Sequence, residues 1–228
     1  MRATWPSACE PRSVNPSLSV ALLATNPNLF TAKKAVPADD LKALIAWLKA
    51  NLDKASMGIG GVASPAQIVG ILFQKETGTR FAFVPYRGGA PAILDLVAGH
   101  IDLMMGVATD ALPQLRLGNI QAYAVMAKTR LAAAPNIPTV DEAGLPGFYA
   151  SFWHGLWVPK RTPPTIITKL NSAVVDALAD PGVRARLAEL GQEIFPRDQQ
   201  TPEALRALQK AEIEKWWPII KAANLKGE

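Results

Sequence analysis

The segment Gly58-Ile59-Gly60-Gly61-Val62-Ala63-Ser64-Pro65-Ala66-Gln67 holds the residue types and spacing best suited to chemistry in this 228-residue chain. Its three glycines permit positive φ and let successive backbone amides converge on one point. Ser64 suits a helix N-cap, Pro65 the first helical position, and Gln67 completes an S-x-x-Q capping box. Free N–H groups and the positive end of a helix dipole would then face the loop, the environment a carboxylate or phosphate needs. An ordinary turn ahead of a helix fits the same residues.

Few other groups offer chemistry. The chain has one cysteine, Cys9, and two histidines, His100 and His154, with no H-x-x-x-H or C-x-x-C spacing. Neither an internal disulfide nor a metal or cofactor site is expected. No nucleophile–base pair can be assembled from these residues, so an enzyme is disfavoured. Asp141-Glu142 resembles a carboxylate pair, but a short helix N-terminus explains it better. Tyr86 and Arg87 follow a strand and either face a ligand or shape the hinge side, and the turn residues around them favour the second. His100 follows Gly99 at a helix end, where a surface position is expected.

Apolar residues make up 49% of the chain and charged residues 19%, a globular composition and not a disordered one. No apolar run is long enough to span a bilayer. The net charge is +5, but the charges are scattered and form no basic stripe, which argues against nucleic acid as a partner. The opening residues Met1–Pro11 have no apolar stretch of the kind a secretory signal requires, so the chain as given carries no export address.

The elements that must hold the loop read as follows. Residues 1–17 are polar, proline-rich and irregular. A strand covers Leu18–Leu23 and is broken by Asn26-Pro27-Asn28, and a helix opens at Pro37–Asp40 with Leu41, Leu44, Ile45 and Leu48 on one face. Strands at Lys54–Met57, Phe81–Val84, Ile101–Met105 and Gln121–Met126 alternate with helices at Pro65–Lys75, Pro91–Val97 and Asp110–Leu117. That alternation predicts an α/β architecture with a largely parallel sheet. Beyond Ala127 a proline-punctuated stretch includes a short helix near Val140–Ala143. An aromatic strand follows at Ser151–Val158, then helices at Thr165–Ala179, Gly182–Leu190 and Pro202 to about Ala223. The expected division is 1–17 irregular, 18–126 one lobe, and 127–228 the other lobe with the C-terminal helices.

The segment from Val84-Pro85-Tyr86-Arg87-Gly88-Gly89-Ala90 through Gly99-His100-Ile101-Asp102-Leu103-Met104 closely resembles a signature of the tripartite tricarboxylate transporter substrate-binding proteins, the TctC or Bug family. The loop ending Gly61–Ala66, the stretch Pro135–Phe148 and Gly155-Leu156-Trp157-Val158-Pro159 resemble further family segments in the same order. The resemblance implies a two-lobed, periplasmic-binding-protein-like clamshell of type II-like form. Such proteins are periplasmic receptors that close on a small organic di- or tricarboxylate and pass it to a membrane permease. It assigns ligand contact to Gly61, Ala63 and Ser64, through backbone amides and the Ser64 hydroxyl, since neutral donors suffice for a carboxylate.

Several departures matter. The family favours glycine where this chain has Ala63 and histidine where it has Gln67. Gly106 stands where many relatives have an aspartate that can pair with an amino-acid ammonium, so an amino-acid ligand is disfavoured. Trp153 and His154 are placed beside the cleft as wall residues, while Phe152 and Trp157 fit a core equally well. Relatives begin with a strand, a glycine-rich loop and a helix that match nothing in residues 1–17, so the first lobe is expected to be incomplete. Exposed sheet edges would then favour self-association. A non-binding remnant and a sensory ligand-binding module of the same fold are the alternative readings.

Overall fold

The computed structural model describes residues 17–223. The first described element, β1 (Ser17–Lys33), organises everything else. After it come α1 (Leu41–Ala50), β2 (Ser56–Ile59), α2 (Pro65–Thr77), β3 (Ala82–Pro85), α3 (Gly89–Ala98), β4 (Leu103–Val107), α4 (Ala108–Arg116) and β5 (Ile120–Val125). A connecting stretch leads to β6 (Ser151–Pro159), α5 (Pro164–Ala179), α6 (Pro181–Glu189), β7 (Glu193–Ile194) and α7 (Pro202–Ala222). The expected irregular segment 1–17 lies outside the described residues except for Ser17, which already belongs to β1.

β1 is one continuous strand and is not broken at Asn26-Pro27-Asn28. Its first part pairs antiparallel with β6 and β7, and from Asn28 onward it pairs antiparallel with β4 and β5. Pro27, which has no N–H to give a ladder, sits where the two sets of partners change over, so its missing donor costs little. Asn28 closes the seam, its N–H donating to Ala150 O at 3.1 Å and its carbonyl accepting from Met126 N at 2.8 Å.

The sheet order is β3-β2-β4-β1-β5, with β6 and β7 on the other half of β1. Among the described strands, the parallel ladders are those of β2 with β3 and with β4. The expected largely parallel sheet is therefore mixed. The alternating pattern reveals β-α-β units, but β1 enters from the neighbouring sheet and runs against them. The ladders divide the chain inside β1 and again at Ala150/Ser151, whereas the sequence suggested one division near residues 126–130. Leu131, Ile137, Val140 and Phe148 pack on the sheet of β2 to β5 and the second half of β1, the second lobe, whereas β6, β7 and the first half of β1 belong to the first.

Both faces of that sheet are covered. Phe30, Met57 and Met105 point to one face beneath α1 and α2, with Phe73 at the centre. Their neighbours Leu29 and Met104 point to the opposite face beneath α3 and α4. The helix ends follow the sequence signals. Asp40 caps α1 by accepting from Ala43 N, Gly99 ends α3 in the left-handed conformation, and Thr201 caps α7. The short helix expected near Val140–Ala143 is instead a series of turns. Glu142 turns back to accept from Thr139 N at 2.7 Å and pairs with Arg130 at 2.8 Å, which satisfies the segment without a helix. The helix α7 belongs to the first lobe at Leu205 and reaches the second at Trp216.

Candidate functional site

The glycine-rich loop joins β2 to α2 at the C-terminal ends of the parallel strands, where open α/β sheets bind ligands. Its glycines do different jobs. Only Gly61 adopts positive φ, at +132°. Gly58 lies within β2 against Ile101, and Gly60 abuts Gly88, where an added Cβ would sit 3.6 Å from the Gly88 Cα. The second left-handed residue is Ala63, at φ +58°, a strained choice for a residue with a Cβ.

That strain remodels the cap. The sequence predicts Ser64 and Gln67 bonding to each other's ends of the first turn. Instead, the Ala63 N–H donates to Gln67 Oε1 at 2.6 Å, and the Ser64 side chain makes no capping bond. The Ser64 Oγ is buried and has no hydrogen-bond partner. Among the described residues, the N–H groups of Gly61, Val62 and Ala66 also meet no protein acceptor. The helix thus starts with an unpaired hydroxyl and several unpaired amides, and carries the positive end of its dipole. Buried polar groups are normally paired, so the orphan hydroxyl is an exception at this helix start.

A groove of about 490 Å³ opens beside this helix start. Pro65 and Ile68 of α2, Phe152 and Trp153 of β6, and Trp216 and Trp217 of α7 form its walls. Asn28 lies on its floor with its Oδ1 buried and unpartnered. The lining is mostly apolar, with Asn28, Ser151, Gln209 and Glu212 among its polar members, and Gly61, Ala63, Ser64 and Gly106 lie outside it.

The residues expected at the site divide accordingly. Gly61, Ala63 and Ser64 share one loop, although the Ala63 amide is already engaged by Gln67. Gly106 is the penultimate residue of β4, opposite Leu29, and the Gly58–Met104 register sets it level with Gly60. Trp153 lines the groove, its ring 5.9 Å from that of Trp157. His154, the next residue on the strand, is exposed and is absent from the groove lining.

Tyr86 and His100, two further candidates, share a structural partner. Tyr86 donates to Asp95 at 2.7 Å, and burial together with that carboxylate raises the phenol pKa to about 12. His100 contacts the same carboxylate at 3.2 Å from an exposed position at the end of α3. The bonds from Tyr86 and His100 hold the Asp95 carboxyl below its ordinary range. Among the described residues, no cluster of three or more His, Cys, Asp and Glu could hold a metal ion. No described helix is long and apolar enough to cross a membrane. Sequence reasoning missed Asn28, whose place against the groove follows from the strand seam and has no local signal.

Two α/β units strung on a shared strand, with a donor-rich helix start at the C-terminal ends of the parallel strands, form the architecture of periplasmic binding proteins. The chain belongs to the tripartite tricarboxylate transporter family of receptors, whose model, "Tripartite tricarboxylate transporter family receptor", matches residues 10–225. An Agrobacterium vitis protein from the TAR-I ttuE-ttuC' intergenic region is 38% identical over 206 residues, covering 90% of this chain and 60% of its own. Protein BugT of Bordetella pertussis is 32% identical over 205 residues, covering 90% and 60%. The chain thus spans about 60% of the length of these curated relatives. Among solved structures, the periplasmic binding protein BugD superposes with TM-score 0.84 at 32% identity, over 93% of this chain and 71% of its own. MatC from Rhodopseudomonas palustris, solved with bound malate, gives TM-score 0.83 at 34% identity, over 90% and 70%. A third, also from R. palustris and solved with adipate, gives TM-score 0.85 at 28% identity, over 92% and 69%.

Proposed function

We propose that this chain is a solute-binding receptor that captures a small organic carboxylate at the start of α2. In this reading one carboxylate oxygen takes the Ser64 hydroxyl and the other takes the free amides of the loop. The orphan Ser64 Oγ, buried beside unpaired N–H groups at a helix N-terminus, carries the reading. Bonds from neutral donors to a carboxylate are charge-assisted and directional, so the absence of an arginine or lysine from the loop is no obstacle. The malate and adipate in related structures support a dicarboxylate as the ligand. Gly106 and Trp153 would bound the ligand from β4 and β6.

Delivery to the membrane permease of a tripartite tricarboxylate-type transporter, on the periplasmic side, completes the proposal and rests on the family. A thermal-shift series with C4 to C6 dicarboxylates and with tricarboxylates tests the binding step. At least one should raise the melting temperature in a concentration-dependent way, as binding to the native state alone requires. No shift from any of them at millimolar concentration would count against it.

A further inference from the structure

Asp110 is a half-buried carboxylate with no hydrogen bond or ion pair among the described residues. It stands in the first turn of α4, directly after β4. Its Oδ2 occupies the space that a side chain at Gly89 would need, against the first residue of α3. Gly89 in turn adjoins the carboxylate loop, since an added Cβ on Gly60 would lie 3.6 Å from the Gly88 Cα and 3.9 Å from the Gly89 N. The register of β2 with β4 brings the start of α4 to the same end of the sheet as that loop. Asp110 therefore stands at the same end of the sheet as the proposed carboxylate subsite, on the other side of the Gly88-Gly89 turn from Gly60.

Other carboxylates of the second lobe contrast with it. Asp95 accepts from Tyr86, Asp102 from Lys33 and Ser56, and Asp40 from the Ala43 amide. Burial with no such compensation raises the proton affinity of Asp110. An unpaired, partly desolvated carboxylate costs stability, and such groups concentrate at binding sites. Next to a bound anion, Asp110 would repel a ligand that presents only carboxylates. A ligand with a hydroxyl or ammonium on the carbon adjoining its carboxylate would offer the donor that Asp110 lacks.

We infer that Asp110 is a specificity-determining residue of this site, selecting carboxylates that carry a neighbouring hydrogen-bond donor by accepting from that hydroxyl or ammonium. The inference rests on the carboxylate reading of the Gly61–Ser64 loop. It also places the acidic group in the first turn of α4, four residues after Gly106 in β4. Calorimetric titration of the chain with succinate, 2-hydroxysuccinate and 2-aminosuccinate tests it. The wild type should bind one of the donor-bearing compounds about tenfold or more tighter than succinate, the effect of roughly one charge-assisted hydrogen bond. Asp110→Asn and Asp110→Ala should abolish that preference and leave succinate binding equal or tighter. A preference unchanged in both variants, or one absent from a wild type that binds succinate, overturns the role of Asp110 alone. Variants that lose only thermal stability overturn it too, since Asp110 would then be a helix-end charge. A wild type that binds none of the three overturns the carboxylate reading, and this inference with it.

Discussion

Replacing Thr109 with valine should loosen the joint between the two halves of the molecule. The Thr109 hydroxyl at the start of α4 accepts from Asn26 Nδ2 at 2.7 Å and donates to the Leu190 carbonyl at 3.1 Å. It thereby ties the second-lobe helix to β1 and to the end of α6. Gly191 continues the contact, its Cα close enough to α4 that a Cβ would meet Leu112 at 2.7 Å and Ala108 at 3.0 Å. Asn26 is only 4% exposed and its Oδ1 already has no partner. Valine keeps the shape of threonine but strands two groups, the Asn26 amide nitrogen and the Leu190 carbonyl. Each unpaired buried group costs about 1–3 kcal/mol, so the pair should cost about 2–4 kcal/mol because Leu190 is only half-buried. For a chain of this size that corresponds to a fall in Tm of roughly 4–16 °C. Urea unfolding followed by circular dichroism and tryptophan fluorescence reads it, with an unchanged slope showing that the denatured state is unaffected. Thr109→Ser, which keeps the hydroxyl, should lose less than half as much. A loss below about 0.5 kcal/mol for Thr109→Val, the scale of an ordinary surface change, would refute the bridging role.

Further outcomes follow from the same structure. Asp102 takes Lys33 Nζ at 2.7 Å and the Ser56 N–H at 2.7 Å, joining β1, β2 and β4 at the end of the sheet remote from the loop. Burial alone would raise its pKa, but the bonds from Lys33 and Ser56 outweigh it and hold the carboxyl below its ordinary value. Asp102→Asn should cost about 2 kcal/mol at neutral pH. That difference should be full above the unfolded carboxylate pKa of about 3.9 and vanish as pH falls through the lower folded value, measured by urea unfolding across pH 3 to 7. Phe73 is fully buried, with its ring 4.7 Å from Phe30 and 5.8 Å from Phe148, so Phe73→Ala should lose about 3–5 kcal/mol in the same assay. Ala63→Gly should raise stability by about 0.5 kcal/mol, because relief of the left-handed strain outweighs the added chain entropy.

Local signals made the helices legible. Asp40 before α1, Pro65 at the start of α2, Gly99 after α3 and Thr201 before α7 all mark ends within a residue or two of where they fall. Long-range pairing was less visible. Pro27 reads as a breaker because a proline lacks a donor, and only the change of partner strands at that point explains how β1 runs through it. The two-residue β7 is too short to carry any period. At the candidate site, the sequence located the loop but not its internal bonding. The positive φ of Ala63 diverts Gln67 from the expected capping box and leaves Ser64 free. Asp110 gave no signal at all, since its significance depends on Gly88 and Gly89 lying beside Gly60 in space.

The proposed function stands or falls on whether the Ser64 hydroxyl and the amides around it bind a carboxylate. Isothermal titration of wild type and Ser64→Ala with the dicarboxylate that gives the largest thermal shift decides this. One site per chain is expected, with an affinity about ten- to a hundredfold weaker in Ser64→Ala, as loss of one hydrogen bond to a charged group requires. The two proteins should unfold at closely similar urea concentrations, because that hydroxyl has no partner in the unliganded fold. Equal affinity in the two proteins would show that the hydroxyl takes no part in binding.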